Sequence, residues 1–550
     1  MTRILRNLLL IAAAQLSHAI PTSGPSAATV RLDNATITGK NLGVVNKFYG
    51  IPYALSPTGD RRLRLPQTIP AYTTDFAATD YGLSCPQQEG ASPNPYQPAG
   101  VIYLTIPKST AKLAQGEDCL NLNVVAPSNV KPGAKLPVVV WIYGGGFQSG
   151  TSSSYDGSAV VNRSIVLNEP VIFVSMNYRL SALGFMGSKE VKAAGVGNLG
   201  LQDQRQAFRW IQKYISAFGG DPSKVTIWGE SAGAISIGHH LVANNGNNEG
   251  LFHAAVMQSG SQTALSDITH GQKYYDFMVS QTGCGNATDT LDCLRGVPYD
   301  SFKAAMDKSP GIFDYQSVNL PWCPRADGVF ITDTPQKLVR EGKVANVPLI
   351  TGDCDDEGTL FAVSNLNVTT DAQVKSYFKQ NWWTDASSAA LDGLLFHYPS
   401  DARLGSPYDT GFLNAITPQF KRIASIIGDA SFQGPRRFFL QHRSQKQNTW
   451  SFLSKRAKSN PILGSVHASD IPNAYGAELR DYIINFATKL DPNGKDGNGK
   501  PLVQWPKYSN WAPSMLTFLD GPVPVTITKD DFRKDAINYM MDFEQHNLVN

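Results

Sequence analysis

The chain is poor in the features that mark several other classes of protein. Only 17% of its 550 residues are charged, and 48 Lys and Arg nearly cancel 45 Asp and Glu, leaving a formal net charge of +3. So weak a field offers nucleic acid or an anionic membrane no broad basic surface. Six cysteines are too few for a disulfide scaffold, and no CxxC pair or Cys/His cluster has zinc spacing. Coiled-coil heptads, internal repeats, low-complexity blocks and a dividing linker are absent. Beyond the first twenty residues no apolar run nears the ~20 residues that span a bilayer. What remains is 42% hydrophobic and 10% aromatic, with 34 prolines and 48 glycines and a mean hydropathy of −0.21. That composition suits a large soluble core joined by many shaped loops.

The N-terminus carries an address. Arg3 and Arg6 precede the apolar run 8–14, and Ser17-His18-Ala19 puts small residues at the two positions a signal peptidase reads. A secretory signal peptide over residues 1–19 is expected, with the mature, extracellular protein at 20–550. Four N-x-S/T sequons, at Asn34, Asn162, Asn286 and Asn367, agree with export.

Short β-branched runs bounded by turn residues recur at 136–143 (LPVVVWIY), 170–177 (PVIFVSMN), 224–228, 347–352 and 449–454, and read as buried strands. Helical periodicity lies between them, clearest over 201–218, where Phe208, Ile211, Ile215 and Phe218 share a face before Gly219-Gly220 ends it. This alternation predicts one α/β domain with a mostly parallel sheet covered on both faces and long insertions. Two motifs are discounted. Gly195-x-Gly197-x-x-Gly200 matches the dinucleotide fingerprint but follows Lys189-Glu190-Val191-Lys192, with no buried strand to deliver it. The segment 491–500 (DPNGKDGNGK) lacks a ligand at Lys495 and the glycine of a calcium loop at Asp496, and reads as a solvated turn.

Chemistry enters at Gly229-Glu230-Ser231-Ala232-Gly233, which follows the strand 224–228 and precedes the helix-compatible run 234–243. A serine on such a strand-to-helix turn stands exposed above the sheet, with small neighbours relieving the crowding. The helix that starts there aims N–H groups and a partial positive charge at the reacting centre. At the end of strand 136–143 stand Gly144-Gly145-Gly146-Phe147. Acyl transfer needs bare backbone N–H groups beside the oxygen that turns negative. Gly145 and Gly146, with Ala232, would supply three.

Together with GGGF and GESAG, the segments 117–123 (EDCLNLN), 177–180 (NYRL) and 50–54 (GIPYA) resemble the type-B carboxylesterase/lipase family, which includes Candida rugosa-type fungal lipases, sterol esterases and cholinesterases. The likeness runs from about residue 28 to beyond Trp505-Pro506-Lys507-Tyr508. It implies an α/β-hydrolase fold and a serine–acid–histidine triad in that chain order. His239, His240, His253 and His270 precede any acid that could follow Ser231, leaving His397, His442, His467 and His546. His467, in the small-residue loop 464–470, resembles the family's catalytic loop. Physics alone does not choose among Asp353, Asp355, Asp356 and Glu357. The family's D-E-G-T signature points to Glu357, with the three aspartates read as turn and capping residues. Glu230 is either a buried polar residue or an electrostatic tuner, outside the triad. Export, the short second spacing and the family pattern predict the disulfides Cys85–Cys119 and Cys284–Cys293; Cys323 and Cys354 are either free thiols, the favoured reading, or a third bridge.

The implied activity is hydrolysis of hydrophobic esters through an acyl-enzyme, needing neither cofactor nor metal. The family's lid would fall in the loop 86–118, whose stripe 101–106 (VIYLTI) suits either an apolar flap opening at a lipid interface or a packed strand. Short-chain, aryl (feruloyl-type) and sterol esters remain alternatives. A cholinesterase-like enzyme would need an aromatic cage, for which the family uses a tryptophan in this loop, and 86–118 has none. A non-catalytic adhesion protein of the same fold is disfavoured because the triad positions are intact. The chain is expected to act as a monomer or weak dimer.

Overall fold

The computed structural model describes residues 27–89, 114–131 and 133–549. The expected signal peptide and the stripe 101–106 lie outside the described residues.

Thirteen strands form one sheet: β1 (Ala27–Leu32), β2 (Ala35–Asn41), β3 (Val45–Pro52), β4 (Phe76–Ala77), β5 (Asn121–Pro127), β6 (Leu136–Ile142), β7 (Ile172–Met176), β8 (Gly220–Glu230), β9 (Ala254–Gln258), β10 (Leu349–Cys354), β11 (Thr449–Ser454), β12 (Ser514–Phe518) and β13 (Val525–Lys529). Their order is β1-β2-β3-β5-β7-β6-β8-β9-β10-β11-β12-β13, with β4 on β2. From β7 to β12 every pairing is parallel. The edges are antiparallel, β1 through β7 on one side and β12–β13 on the other. The parallel centre matches the sequence expectation. The antiparallel margins escaped it, because half-exposed strands such as β1 and β2, with alternating burial, lack the continuous apolar runs of buried parallel strands.

Helices cover both faces, so β7, β9, β10 and β11 are buried along their whole length. Trp141 of β6 stands in register with Trp228 of β8, their rings T-shaped at 4.7 Å, and Tyr475 stacks on Trp228 at 5.0 Å. The helix Leu199–Tyr214 buries Phe208 and Ile211, tightens into a 3₁₀ turn at Ile215–Phe218, and stops at Gly219 with φ 88°. The family-like motifs brace this frame. Arg179 of NYRL makes a fully buried bidentate pair with Asp203, at 2.7 and 2.6 Å. Glu117 of EDCLNLN receives Arg62 at 2.5 and 2.7 Å. Bridges join Cys85 to Cys119 and Cys284 to Cys293, and Cys323 and Cys354 are free thiols. The two stems of the 86–118 loop meet at the Ser84–Gln115 bridge beside the first disulfide. Among the described residues no helix is long and apolar enough to cross a membrane.

Candidate active site

Three strand ends converge on one point. β8 runs straight into Ser231, whose φ of 55° and ψ of −127° lie where a side chain is strained, by roughly 1–3 kcal/mol. Packing enforces this turn. A Cβ on Gly233 would sit 2.0 Å from the Ile142 carbonyl oxygen, and one on Gly229 would sit 2.7 Å from the Gly233 carbonyl carbon. Ser231 N–H donates to the Gln258 carbonyl at 2.9 Å, and its own carbonyl accepts from Ile235 at 2.8 Å, which starts the helix Ala232–Gly246.

From the end of β10 the chain turns so that Cys354 N–H donates to Glu357 Oε1 at 2.6 Å. Glu357 Oε2 then lies 2.5 Å from His467 Nδ1, and His467 Nε2 lies 2.9 Å from Ser231 Oγ. A carboxylate on Nδ1 fixes the proton there and leaves Nε2 to accept from the serine hydroxyl. Of the four carboxylates left open by the sequence, Glu357 alone among the described residues reaches His467.

Asp353 and Asp356 depart from the turn-and-cap reading, and Asp355, which does lie in the turn, ends in an ion pair. Buried Asp353 takes Arg436 Nε at 2.8 Å. Asp355 and Asp356 receive Lys458 at 2.6 and 2.7 Å. Asp356 also accepts the Ser465 and Tyr408 amides at 2.8 Å each, clipping the acid loop to the histidine loop. Their partners are far away in sequence, so no local pattern announced these roles. The remaining histidines lie elsewhere. His239 and His240 are fully buried, and burial pushes both pKa values down. His442 and His546 bond carbonyls of their own helices, and His397 stacks on Tyr539.

The oxyanion candidates sit beside Ser231. A Cβ on Gly144 would lie 2.7 Å from Ser231 Cβ, and Gly145 and Gly146 adopt φ of 108° and 62°. Among the described residues the amides of Gly145, Gly146 and Ala232 have no protein acceptor.

Glu230 is the site residue whose part the sequence left open. Its Oε1 lies 3.5 Å from His467 Nε2 and has no hydrogen-bond partner. Burial, with Asp470 and Glu357 nearby and against the pull of His467, pushes its pKa up to about 8. Burial alone would lower His467, but Glu357, Glu230 and Asp470 outweigh it and lift its pKa to about 9. Asp470, raised by burial to about 6, accepts from Gln258 Nε2 at 2.7 Å. The two titrations near Ser231 therefore belong to a coupled pair, Glu230 and His467.

Ser231, Ala232 and Gly146 open on a cavity of about 860 Å³, counting its part open to solvent, with walls that include Phe147, Leu265 and Phe432. All four sequon asparagines are exposed.

The strand order and the strained strand-to-helix turn at Ser231 define an α/β-hydrolase. The carboxylesterase family model matches residues 26–533, and the chain belongs to that family. The enzyme is a carboxylic ester hydrolase. It is similar to Lipase 4 of Diutina rugosa, 44% identical over 533 residues and covering 92% of this chain and 94% of the relative. A secreted triacylglycerol lipase, LIP1 of Gibberella zeae, is 39% identical over 535 residues, 93% of this chain and 90% of that one. Among solved structures, Aspergillus niger EstA superposes with a TM-score of 0.78 at 27% identity, covering 94% and 99% of the two chains.

Proposed function

We propose that the enzyme is a secreted lipase/esterase that cleaves hydrophobic esters of medium or long acyl chain, with Ser231 as nucleophile, His467 as general base and Glu357 as its orienting acid. His467 Nε2 takes the Ser231 proton as Oγ attacks the ester carbonyl. The oxyanion forms against the amides of Gly145, Gly146 and Ala232, each such donor being typically worth about 3 to 4 kcal/mol of barrier. The imidazolium then gives its proton to the departing alcohol, and water, deprotonated by the same nitrogen, hydrolyses the acyl-enzyme. Glu357 keeps Nδ1 protonated and steadies the imidazolium throughout.

The observation that carries this reading is the line of hydrogen bonds from Glu357 through His467 to Ser231, opening on a largely apolar cavity. Relatives named as lipases support the lipid end of the substrate range. Secretion rests on the N-terminal pattern, the relative named as secreted and the four exposed sequons as glycan sites. A second reading, a short-chain or aryl carboxylesterase, is favoured by the structural likeness to solved structures named PNB esterase.

Rates across a p-nitrophenyl acyl series with emulsified triolein alongside separate the two readings. A preference for decanoyl over acetyl esters and turnover of triolein are expected, and an acetyl optimum without triolein hydrolysis overturns the lipase reading. Ser231→Ala, His467→Ala and Glu357→Gln should each lower kcat by about a thousandfold or more, non-additively, as members of one unit do.

A further inference from the structure

Arg325 lies in the wall of the same cavity as Ser231, next to Cys323 and Ser266. Its side chain is buried, 3% exposed. Nη1 donates to Ser266 Oγ at 2.6 Å. Among the described residues, the buried Nε and Nη2 have no hydrogen-bond partner and no carboxylate lies within ion-pair reach of the guanidinium. Most of the other buried arginines among the described residues are paired with a carboxylate, and Arg443, which is not, bonds Gln447 and leaves no buried nitrogen without a partner. Arg179 has Asp203, Arg436 has Asp353 and Asp530, and Arg437 shares Asp530.

A buried cation without a counter-charge is costly, so a fold keeps one where an anion visits. Two nearby groups sharpen the imbalance. Lys273 has a lowered pKa, through partial burial and the neighbouring Arg325 charge, which puts a second cation close by. Glu544 is the other ionisable side chain on the wall besides the Cys323 thiol. Burial pushes its pKa well above the usual carboxylate range, and it makes no ion pair with Arg325.

We infer that Arg325, held by Ser266, is an anion subsite of the ester pocket that takes a carboxylate. This rests on reading the cavity as the ester pocket. The planar fork of an arginine suits a carboxylate's two oxygens. Two sources supply that chemistry: an acidic group carried on the acyl chain of the ester, or the free acid released by hydrolysis and returning as an inhibitor.

The test uses the full-length enzyme with p-nitrophenyl monoesters of dicarboxylic acids of stepped length, each paired with its uncharged ω-methyl counterpart, and with decanoate as inhibitor of p-nitrophenyl butyrate hydrolysis. If the acyl chain brings the carboxylate, the ratio of kcat/KM for charged over uncharged ester falls roughly tenfold to a hundredfold in Arg325→Gln at the matching length, and less in Ser266→Ala. If the released acid is the ligand, that ratio holds and the inhibition constant of decanoate rises by a similar factor. If neither moves, the proposal is overturned. Wild-type enzyme decides even where Arg325→Gln fails to fold: rejection of the charged ester at every length, with decanoate inhibiting no better than decanol, refutes the subsite. Uncharged-ester hydrolysis that survives Ser231→Ala would instead refute the reading of the cavity, whatever Arg325 does.

Discussion

Replacing Glu230 by Gln should lower the pH at which the enzyme switches on. In the wild type Glu230 Oε1 stands 3.5 Å from His467 Nε2, the nitrogen that must lose its proton to act as base. At an effective dielectric of ~20, two unit charges at that distance interact by about 4.7 kcal/mol, a ceiling of about 3.5 pH units on the histidine. Burial raises Glu230 itself to about 8, below the value of about 9 for His467, so it is largely ionised where the histidine titrates, and because the two titrations are coupled a shift of roughly 1 to 2 units, short of that ceiling, is expected. The sign follows from the charge, because removing a carboxylate removes stabilisation of the imidazolium. The acid limb of kcat/KM against pH, measured on a soluble ester, should therefore move down in Glu230→Gln. A limb that stays put or moves up refutes the reasoning. Stability provides a second readout. Glu230 is raised from 4.5 to about 8 and His467 from 6.5 to about 9, so the folded site holds protons more tightly than the unfolded chain. The stability this lends is fully present below the unfolded values and is lost as pH rises through about 8 and 9. Tm should fall across that window in the wild type and fall less in Glu230→Gln.

Two further outcomes can be measured independently. Asp530 accepts from both Arg436 and Arg437 in full burial, so Asp530→Asn strands the Arg437 guanidinium, leaves Arg436 with Asp353 alone, and should cost about 3 to 5 kcal/mol in denaturant unfolding. A loss under about 1 kcal/mol contradicts that view of the network. Alkylation of the native enzyme should modify partly exposed Cys323 and spare Cys354, whose thiol is buried with its pKa pushed far up. Labelling of Cys354 before unfolding contradicts its burial.

What could be read in advance depended on whether the signal was local. The nucleophile turn was legible because strand, glycines and helix are consecutive, and the glycines are required by contacts within a few residues or with the adjacent β6 strand. β11 matches its expected bounds residue for residue because TWSFLS is apolar enough to show as buried. β8 is longer than its expected core, since Gly220 pairs with Leu136 ahead of a register shift, and a glycine–aspartate–proline start carries no strand signal. The acid needed the family resemblance, since four neighbouring carboxylates differ only in what the fold brings to them. The roles of Asp353, Asp356 and Arg325 were invisible for the same reason: Arg436, Lys458 and the cavity come from distant parts of the chain. Glu230 could be flagged by its place beside the serine, but only its burial and its distance to His467 make it a titrating partner.

The claim on which the account turns is that Ser231 is the nucleophile. Mass spectrometry of the tryptic digest after inactivation by an organophosphonate tests it most directly. One label per chain, on the peptide holding Ser231 and rising in step with lost ester hydrolysis, is the predicted result. A label on another serine, or hydrolysis that continues after full labelling, would contradict it.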